Sequence, residues 1–318
     1  MPTISVVIPT RNRSQLLERT LEALVGQTMA LEEFEVIVVS DGSTDDTCAM
    51  IARLQRRSSN VKSCAQAQRG PAAARNRGIA LARGRIVAFT DDDCVPDKDW
   101  LRSIIDCFGA NPQALGVEGQ TTTEDEKVTP LTHQVVNLRG GFSRPTCNVA
   151  YRRGVLMRAG GFDEGYSFNA EDEDMALTVS EMGPIVFCEQ ARVLHPPRGL
   201  HFHEHLRQMA HLELQAMLCQ FRLARKHPVG FRRLRGGGGP WRSIFYVTLR
   251  LRLHDLWQKR SWIRKAPHLW LTAVLLLMMR MLWRMCLVPV VCLRLTSTQP
   301  RSRAGVSLSA QTEGVPLA

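Results

Sequence analysis

The strongest constraint on this chain is the regular alternation, over its first 112 residues, of short β-rich runs with amphipathic helical segments. Ile4 to Pro9, Phe34 to Ser40, Val61 to Ala65 and Arg85 to Thr90 are each the length of a strand and rich in branched apolar residues. Between the first two, Leu16, Leu17, Leu21, Leu24 and Val25 share one face of a helix. A second helix is expected from a capping-box-like Ser43-x-x-Asp46, with Ile51 and Leu54 inward, and a third from Gly70-Pro71 to Gly84. A fourth, Asp97 to Asn111, carries Trp100, Leu101, Ile104, Ile105 and Phe108. This spacing predicts βαβ units and a mostly parallel sheet flanked by helices, an α/β fold.

Past residue 112 the pattern loosens. Val117 to Thr122 and Thr146 to Tyr151 read as strands and Glu171 to Met182 as a helix, so a mixed sheet with long loops is expected. A helix over His201 to His227 is followed by Arg232 to Pro240, whose four consecutive glycines read as a linker. The expected division is an α/β domain over 1–200, a helical extension and Gly-rich linker over 201–240, basic and apolar helices over 241–295, and a disordered tail over 296–318.

The net charge of +11 is unevenly distributed. Residues 1–200 hold 22 Lys and Arg against 26 Asp and Glu, and residues 201–318 hold 19 against 4. A basic C-terminal part attracts RNA, DNA or an anionic lipid surface through the same field. Leu269 to Leu293 is apolar enough for membrane contact, yet Arg280, Arg284 and Pro289 disfavour a clean span. A helix lying in the interface, a true span and a buried soluble pair all remain open. The Trp-interleaved basic run before it, with Arg250, Arg252, Lys259, Arg260, Arg264 and Lys265, favours lipid over nucleic acid, so no nucleic-acid partner is expected. Nine scattered cysteines without a C-x-x-C pair fit a reducing compartment, and Ile4 to Ile8 is too short for the core of a signal peptide. The expected location is the cytoplasm, against the cytoplasmic face of the membrane.

Loops at the carboxyl ends of parallel strands line the ligand crevice of such a sheet. Here they read Thr10-Arg-Asn-Arg13, Asp41-Gly-Ser43 and Asp91-Asp-Asp93. Neither G-x-G-x-x-G after the first strand nor a P-loop is present, so a nucleotide needs another holder. Three successive aspartates raise one another's pKa unless a cation compensates, and a hard, oxygen-liganded Mg²⁺ or Mn²⁺ would bridge them to a diphosphate. Taken alone, the same aspartates would also serve as a solvated turn, and Glu171-Asp-Glu-Asp174 as an ordinary acidic helix start. His201, His203 and His205 invite a zinc reading, but only the first and last could share a helix face.

Taken together, Ser5-Val-Val-Ile-Pro-Thr-Arg-Asn-Arg13, Val38-Val-Ser-Asp-Gly-Ser-Thr-Asp45, Gly70-Pro-Ala-Ala-Ala-Arg-Asn-Arg-Gly78, Phe89-Thr-Asp-Asp-Asp-Cys94, Gly160-Gly-Phe-Asp-Glu164 and Glu171-Asp-Glu-Asp174 resemble the family 2 glycosyltransferases of GT-A fold, in the right order over residues 3 to 198. The resemblance implies a metal-dependent, inverting transfer of sugar from a nucleotide-sugar, a UDP-sugar first among them, to a carbohydrate or lipid-linked acceptor in polysaccharide or glycolipid synthesis. It implies donor contacts from Pro9, Thr10, Arg11, Asp41, Arg75, Asp91 and Asp92, metal ligation by Asp93 with Asp91 and His195, and Asp172 as general base beside Glu171, with Asp174 a further candidate. Arg198 would add phosphate charge. The alternatives are a GT-A scaffold that binds nucleotide-sugar or polymer without catalysis, and a nucleotidyltransferase. The latter normally shows a Gly-rich loop after strand one that Thr10 to Arg13 lacks.

Overall fold

The computed structural model of the protein describes residues 1–141, 144–166, 169–199 and 202–297. The tail from residue 298 lies outside them, as do His201 and the side chains of His203 and His205.

The N-terminal half is built from β1 (Ile4–Thr10), α1 (Ser14–Val25), β2 (Phe34–Asp41), α2 (Thr47–Gln55), β3 (Val61–Gln66), α3 (Pro71–Leu81), β4 (Ile86–Phe89), β5 (Val95–Pro96) and α4 (Trp100–Ala110). Then come β6 (Gly116–Thr122), β7 (Thr132–His133), β8 (Val149–Arg152), α5 (Arg153–Ala159), α6 (Glu171–Met182), β9 (Ile185–Leu194) and β10 (Arg198–Gly199). Eight strands form one sheet in the order β3-β2-β1-β4-β8-β6-β9-β5, and β7 pairs with β10 apart from it. β3, β2, β1 and β4 run parallel, and β8 and β5 enter antiparallel. The expected α/β fold is therefore present, mixed from β8 onward.

Register fixes where the loops emerge. Thr10 pairs with Ser40 and Asp41 with Gln66, so the loops after β1, β2 and β3 leave one edge of the sheet, beside the loop after β4. Because both faces of β1 and β2 are covered, their residues form near-continuous apolar runs rather than an alternation. Ile4, Val6, Ile8, Val36 and Val38 pack under Leu17, Leu21, Leu24, Met50 and Trp100 on one face. Val7, Ile37, Val39 and Phe89 pack under Ile79, Leu156, Phe162 and Val179 on the other.

Local differences from the expected pattern have identifiable causes. α2 starts at Thr47, whose amide and hydroxyl both donate to the Asp45 carboxylate, while Ser43 Oγ accepts from the Asn12 amide in the neighbouring loop. Residues 146–148 form a 3₁₀ turn, because Asn148 is spent on Trp100 Nε1 and on the Gln120 and Ala191 carbonyls. The C-terminal part comprises α7 (Phe202–Lys226), α8 (Pro228–Leu234), α9 (Pro240–Arg242), a π-helical turn over Ser243–Val247 running into α10 (Thr248–Gln258), α11 (Trp262–Lys265) and α12 (Pro267–Ser297). The stretch read as linker thus begins as α8 and opens only at its glycines, where Gly236 and Gly237 take positive φ.

α12 is long and apolar enough to cross a membrane, with mean hydropathy 1.9 and 22% of that window buried. Two of its three arginines, near its middle, do not contradict this. Arg280 and Arg284, one turn apart, both face Glu213 of α7 at 3.5 and 2.6 Å, while Leu271, Leu275, Met278, Leu282 and Met285 lie exposed along the helix.

Candidate active site

The loops after β1 and β2 are tied to each other before they meet any ligand. Asn12, at φ 53°, accepts the Thr44 amide on its side-chain oxygen at 2.7 Å and donates its own amide to Ser43. Asp41 is buried, and its carboxylate accepts Gln66 Nε2 and the Arg69 and Gly70 amides, each at 2.8 Å. It therefore shapes the turn into α3. The second lone pair of Oδ2 is the group it can offer to a base or ribose.

The three aspartates have three different environments. Asp92 points back under β1, accepting Thr10 Oγ1 and Arg13 Nη1 at 2.8 Å each. Burial raises its pKa, against the opposing pull of Arg13. These bonds tie Thr10 and Asp92, two of the expected donor residues, to each other and to Arg13, and leave a second lone pair on each Asp92 oxygen. Pro9 lies half-buried at the end of β1, and Arg11 is exposed on the rim. Asp91 is more open and receives Arg75 Nη2 at 3.1 Å. Asp93 is buried between Arg198 Nε at 3.0 Å, Arg13 at 3.5 Å and His195 Nε2 at 3.9 Å.

His195 is buried, and its Nδ1 lies 3.2 Å from the Pro196 carbonyl. A carbonyl oxygen only accepts, so in this contact Nδ1 carries the proton, and Nε2 is the nitrogen that faces Asp93. An imidazole nitrogen beside a carboxylate is a donor pair that a divalent cation can take, with the second ring nitrogen fixed by the backbone. Asp93, Cys94 and His195 have ligand atoms within 4.8 Å of one another, so the residues present fit an ion.

Arg75 links the two acidic clusters. Projecting from the first turn and a half of α3, it is buried, with Nη1 on Glu171 at 2.9 Å and Nη2 on Asp91 at 3.1 Å. Burial works to lower its pKa, but Asp91 and Glu171 outweigh this and raise it. The Phe162 ring lies 5.6 Å below the guanidinium. Phe162 is held in turn by Asn76, which exchanges two hydrogen bonds with its backbone. Gly161, at φ 75°, must be glycine there, since a Cβ would fall 2.5 Å from Asn76 Oδ1.

The acidic helix start resolves into separate roles. Arg235 Nη2 sits between the two oxygens of Glu173 at 2.9 and 2.7 Å, and Asp174 receives Lys226, His227 and Tyr166. Both acids fasten α6 to α7 and α8, so Asp174 is committed away from the crevice. Asp172 is half-buried, and its carboxylate accepts the Glu173 amide at 2.8 Å. Burial pushes its carboxyl up to about 8, with the charges of Glu171 and Glu173 adding to the rise. A carboxyl poised near neutrality at the rim of a crevice is suited to proton abstraction.

The sequence profile described as "Glycosyl transferase family 2" matches residues 5–161. Over residues 5–161 the chain is similar to glycosyl transferase family 2. The chain is 28% identical over 211 residues to the glycosyltransferase AglE of Haloferax volcanii, covering 60% of this chain and 68% of that one. It is 29% identical over 268 residues to the validoxylamine A glucosyltransferase of Streptomyces hygroscopicus, covering 72% of this chain and 62% of that one. A third relative, the glucosyl-dolichyl phosphate glucuronosyltransferase of H. volcanii, is 26% identical over 216 residues, 60% of this chain and 68% of that one. Among solved structures, the mannosyltransferase PcManGT of Pyrobaculum calidifontis, in complex with GDP-Man and Mn²⁺, shares the fold with a TM-score of 0.59 at 19% identity, covering 94% of this chain and 88% of that one. The chain is thus a transferase of the glycosyl class, and it spans about two thirds of the length of these curated relatives.

Sequence reasoning missed Arg13 as the partner of Asp92 and Asp93, and Arg235, Lys226 and His227 as the groups that neutralise the acidic helix start. Arg13 was adjacent to the motif and could have been found from the unpaired acids opposite. The other three lie more than 50 residues from their partners, and no local signal announces them.

Proposed function

We propose that the protein transfers a sugar from a nucleoside-diphosphate sugar to an acceptor hydroxyl with inversion at the anomeric carbon. One observation carries the proposal: a single buried arginine, Arg75, joins Asp91, in the loop that also holds Asp93 beside His195, to Glu171 at the start of α6, one residue from Asp172. Pro9, Arg11 and Asp41 line the side where a base and ribose would lie, and Asp91 faces the sugar side. Asp93 and His195, with Asp91, would hold Mn²⁺ or Mg²⁺, an ion that neutralises charge developing on a leaving diphosphate. Arg198, once drawn from Asp93, adds a cation for the same phosphates.

Asp172 takes the acceptor proton as the acceptor oxygen attacks from the face opposite the departing diphosphate, a single displacement that inverts configuration. Glu171 is paired with Arg75, and its charge adds to the rise of the Asp172 carboxyl. The proposed division of the chain is catalytic domain over 1–200, helical extension to 240 and membrane-facing helices over 241–295. α12 lies against the cytoplasmic leaflet by its apolar stripe, with Arg260, Arg264 and Lys265 at the headgroups.

The test is a panel of UDP-, GDP- and other nucleotide-sugars with Mn²⁺ or Mg²⁺, followed by thermal stabilisation and release of nucleoside diphosphate. Stabilisation by one donor, lost in Asp93→Ala, with turnover lost in Asp172→Ala, is the expected result. A wild-type protein that no donor stabilises under either metal, and that releases no nucleoside diphosphate, overturns the proposal.

A further inference from the structure

Asp93 divides its two oxygens between unlike neighbours. Oδ2 faces the guanidinium groups of Arg198 at 3.0 Å and Arg13 at 3.5 Å. Oδ1 faces, among the described residues, the Cys94 thiol at 3.8 Å and His195 Nε2 at 3.9 Å. A sulfhydryl is a weak donor, so one oxygen of this buried carboxylate is well satisfied by cations and the other is not. The backbone brings the three side chains together. Val95 of β5 pairs with Leu194 of β9, and Pro96 with Val193, in antiparallel register, which sets Cys94 opposite His195 one step further on. The Cys94 amide donates to the Asp91 carbonyl at 3.2 Å, its carbonyl accepts Thr20 Oγ1 at 2.7 Å, and the His195 amide donates to the Thr122 carbonyl at 2.8 Å. Cys94 and His195 are both buried, so the group is held in place before any ion arrives.

The spacing and the chemistry of this group select among cations. In a tetrahedral zinc site with ordinary bond lengths, the sulfur–oxygen and nitrogen–oxygen edges are about 3.4–3.6 Å. The edges here are 3.8 and 3.9 Å, and all three ligand atoms lie within 4.8 Å of one another, so a contraction of a few tenths of an ångström closes the site. A thiolate is a soft ligand that favours Zn²⁺, whereas Mg²⁺ and Mn²⁺ favour oxygen. Charge points the same way. A carboxylate and a thiolate together balance a dication, and a neutral complex is far cheaper to bury than one that keeps a net charge. Cys94 forms a second group of the same kind with Asp91 and Cys147, again within 4.8 Å, which makes its sulfur the atom common to both.

We infer that Asp93 Oδ1, Cys94 Sγ and His195 Nε2 form a site for a thiophilic divalent cation, Zn²⁺ first among them, with Cys94 as the ligand that sets its preference over Mg²⁺ and Mn²⁺. As the sulfur–zinc bond forms, the thiol proton passes to solvent, and Arg13 and Arg198 keep their hold on Oδ2. Three protein ligands leave the fourth position open to a water or a ligand oxygen. Asp93 and His195 are also the residues assigned to the oxygen-liganded ion, so bound Zn²⁺ takes the place of Mn²⁺ or Mg²⁺. That consequence rests on the glycosyl-transfer proposal, whereas the zinc site does not.

The experiment uses the full chain in detergent micelles, stripped with EDTA and dialysed, with the exposed Cys48, Cys286 and Cys292 replaced by serine so that their thiols give no signal. Co²⁺ is titrated in as the spectroscopic stand-in for Zn²⁺. The expected result is a saturable thiolate-to-cobalt charge-transfer band with the intense visible bands of a tetrahedral site, abolished by equimolar Zn²⁺ and surviving about a hundredfold excess of Mg²⁺ or Mn²⁺. In the same background Cys94→Ser and His195→Gln should each weaken Zn²⁺ binding by at least about 100-fold, the upper end of what loss of a mere supporting group costs. No charge-transfer band in the parent protein, which needs no buried variant to fold, overturns the inference, as does a band undiminished in Cys94→Ser. Displacement of Co²⁺ by an equal concentration of Mg²⁺ or Mn²⁺ overturns the preference for a thiophilic ion. Absence of donor turnover with the Co²⁺ spectrum intact counts against the transfer proposal alone.

Discussion

Replacing Asp172 with asparagine separates the energetic cost of the proposed base from its chemistry. Asparagine keeps the shape of the carboxyl and mimics its protonated form. In the folded protein burial, Glu171 and Glu173 push the Asp172 carboxyl up to about 8, whereas in the unfolded chain it titrates near 3.8. Between these values the native state holds a proton that the unfolded state has released, so wild-type stability falls as pH rises across the window and levels off above about 8. Each pH unit shifts the folding equilibrium by up to about tenfold, a ceiling near 4 kcal/mol from pH 5 to 8. Solvent reaches part of the carboxyl, and screening halves this to about 2 kcal/mol. At roughly 2–4 °C per kcal/mol, the Tm advantage of Asp172→Asn over wild type should widen by about 4–8 °C between pH 5 and pH 8. Scanning fluorimetry at half-unit intervals reads this directly, and nucleoside diphosphate release should meanwhile rise with pH in wild type, half-maximal near pH 8, and be lost in the variant. A Tm gap that stays constant with pH, or narrows, would refute the account of Asp172 as a carboxyl strained by burial.

Arg75→Met leaves Asp91 and Glu171 facing each other without their shared cation, and should cost about 3–5 kcal/mol in urea unfolding. Gly119→Ala should destabilise by about 1–3 kcal/mol in the same assay, because a Cβ there meets the Ala191 carbonyl and the Asn148 side chain. For His227, burial lowers the pKa but Asp174 and Glu181 outweigh it and raise it, so its contribution is fully present below its unfolded value and fades as pH rises through the folded one. His227→Gln should accordingly cost about 1–3 kcal/mol near pH 6, the range of a hydrogen bond to a charged group, and clearly less at pH 9.

The N-terminal βαβ order, the N-terminal strands to within one or two residues, and the strand ends and helix start that carry Asp41, Asp91 to Asp93 and Asp172 were all determined by the sequence alone. The reason is that these depend on short-range pattern: apolar runs of strand length, helical periodicity, and polar residues at strand ends, each readable within ten residues or so. The direction of β8 and the two-residue β5 were decided by tertiary pairing, since strand orientation depends on which neighbour is met and not on the strand's own residues. The same division runs through the site. Four consecutive acids at residues 171–174 have no sequence feature that tells them apart. Only packing gives Glu171 to Arg75, Glu173 to Arg235 and Asp174 to Lys226 and His227, while among the described residues no ion pair forms on Asp172, whose carboxyl keeps its proton instead. Likewise the arginines of α12, which in sequence seem to spoil an apolar helix, gain their meaning from Glu213, some 70 residues earlier, because a buried charge is tolerable only where the fold brings it a partner.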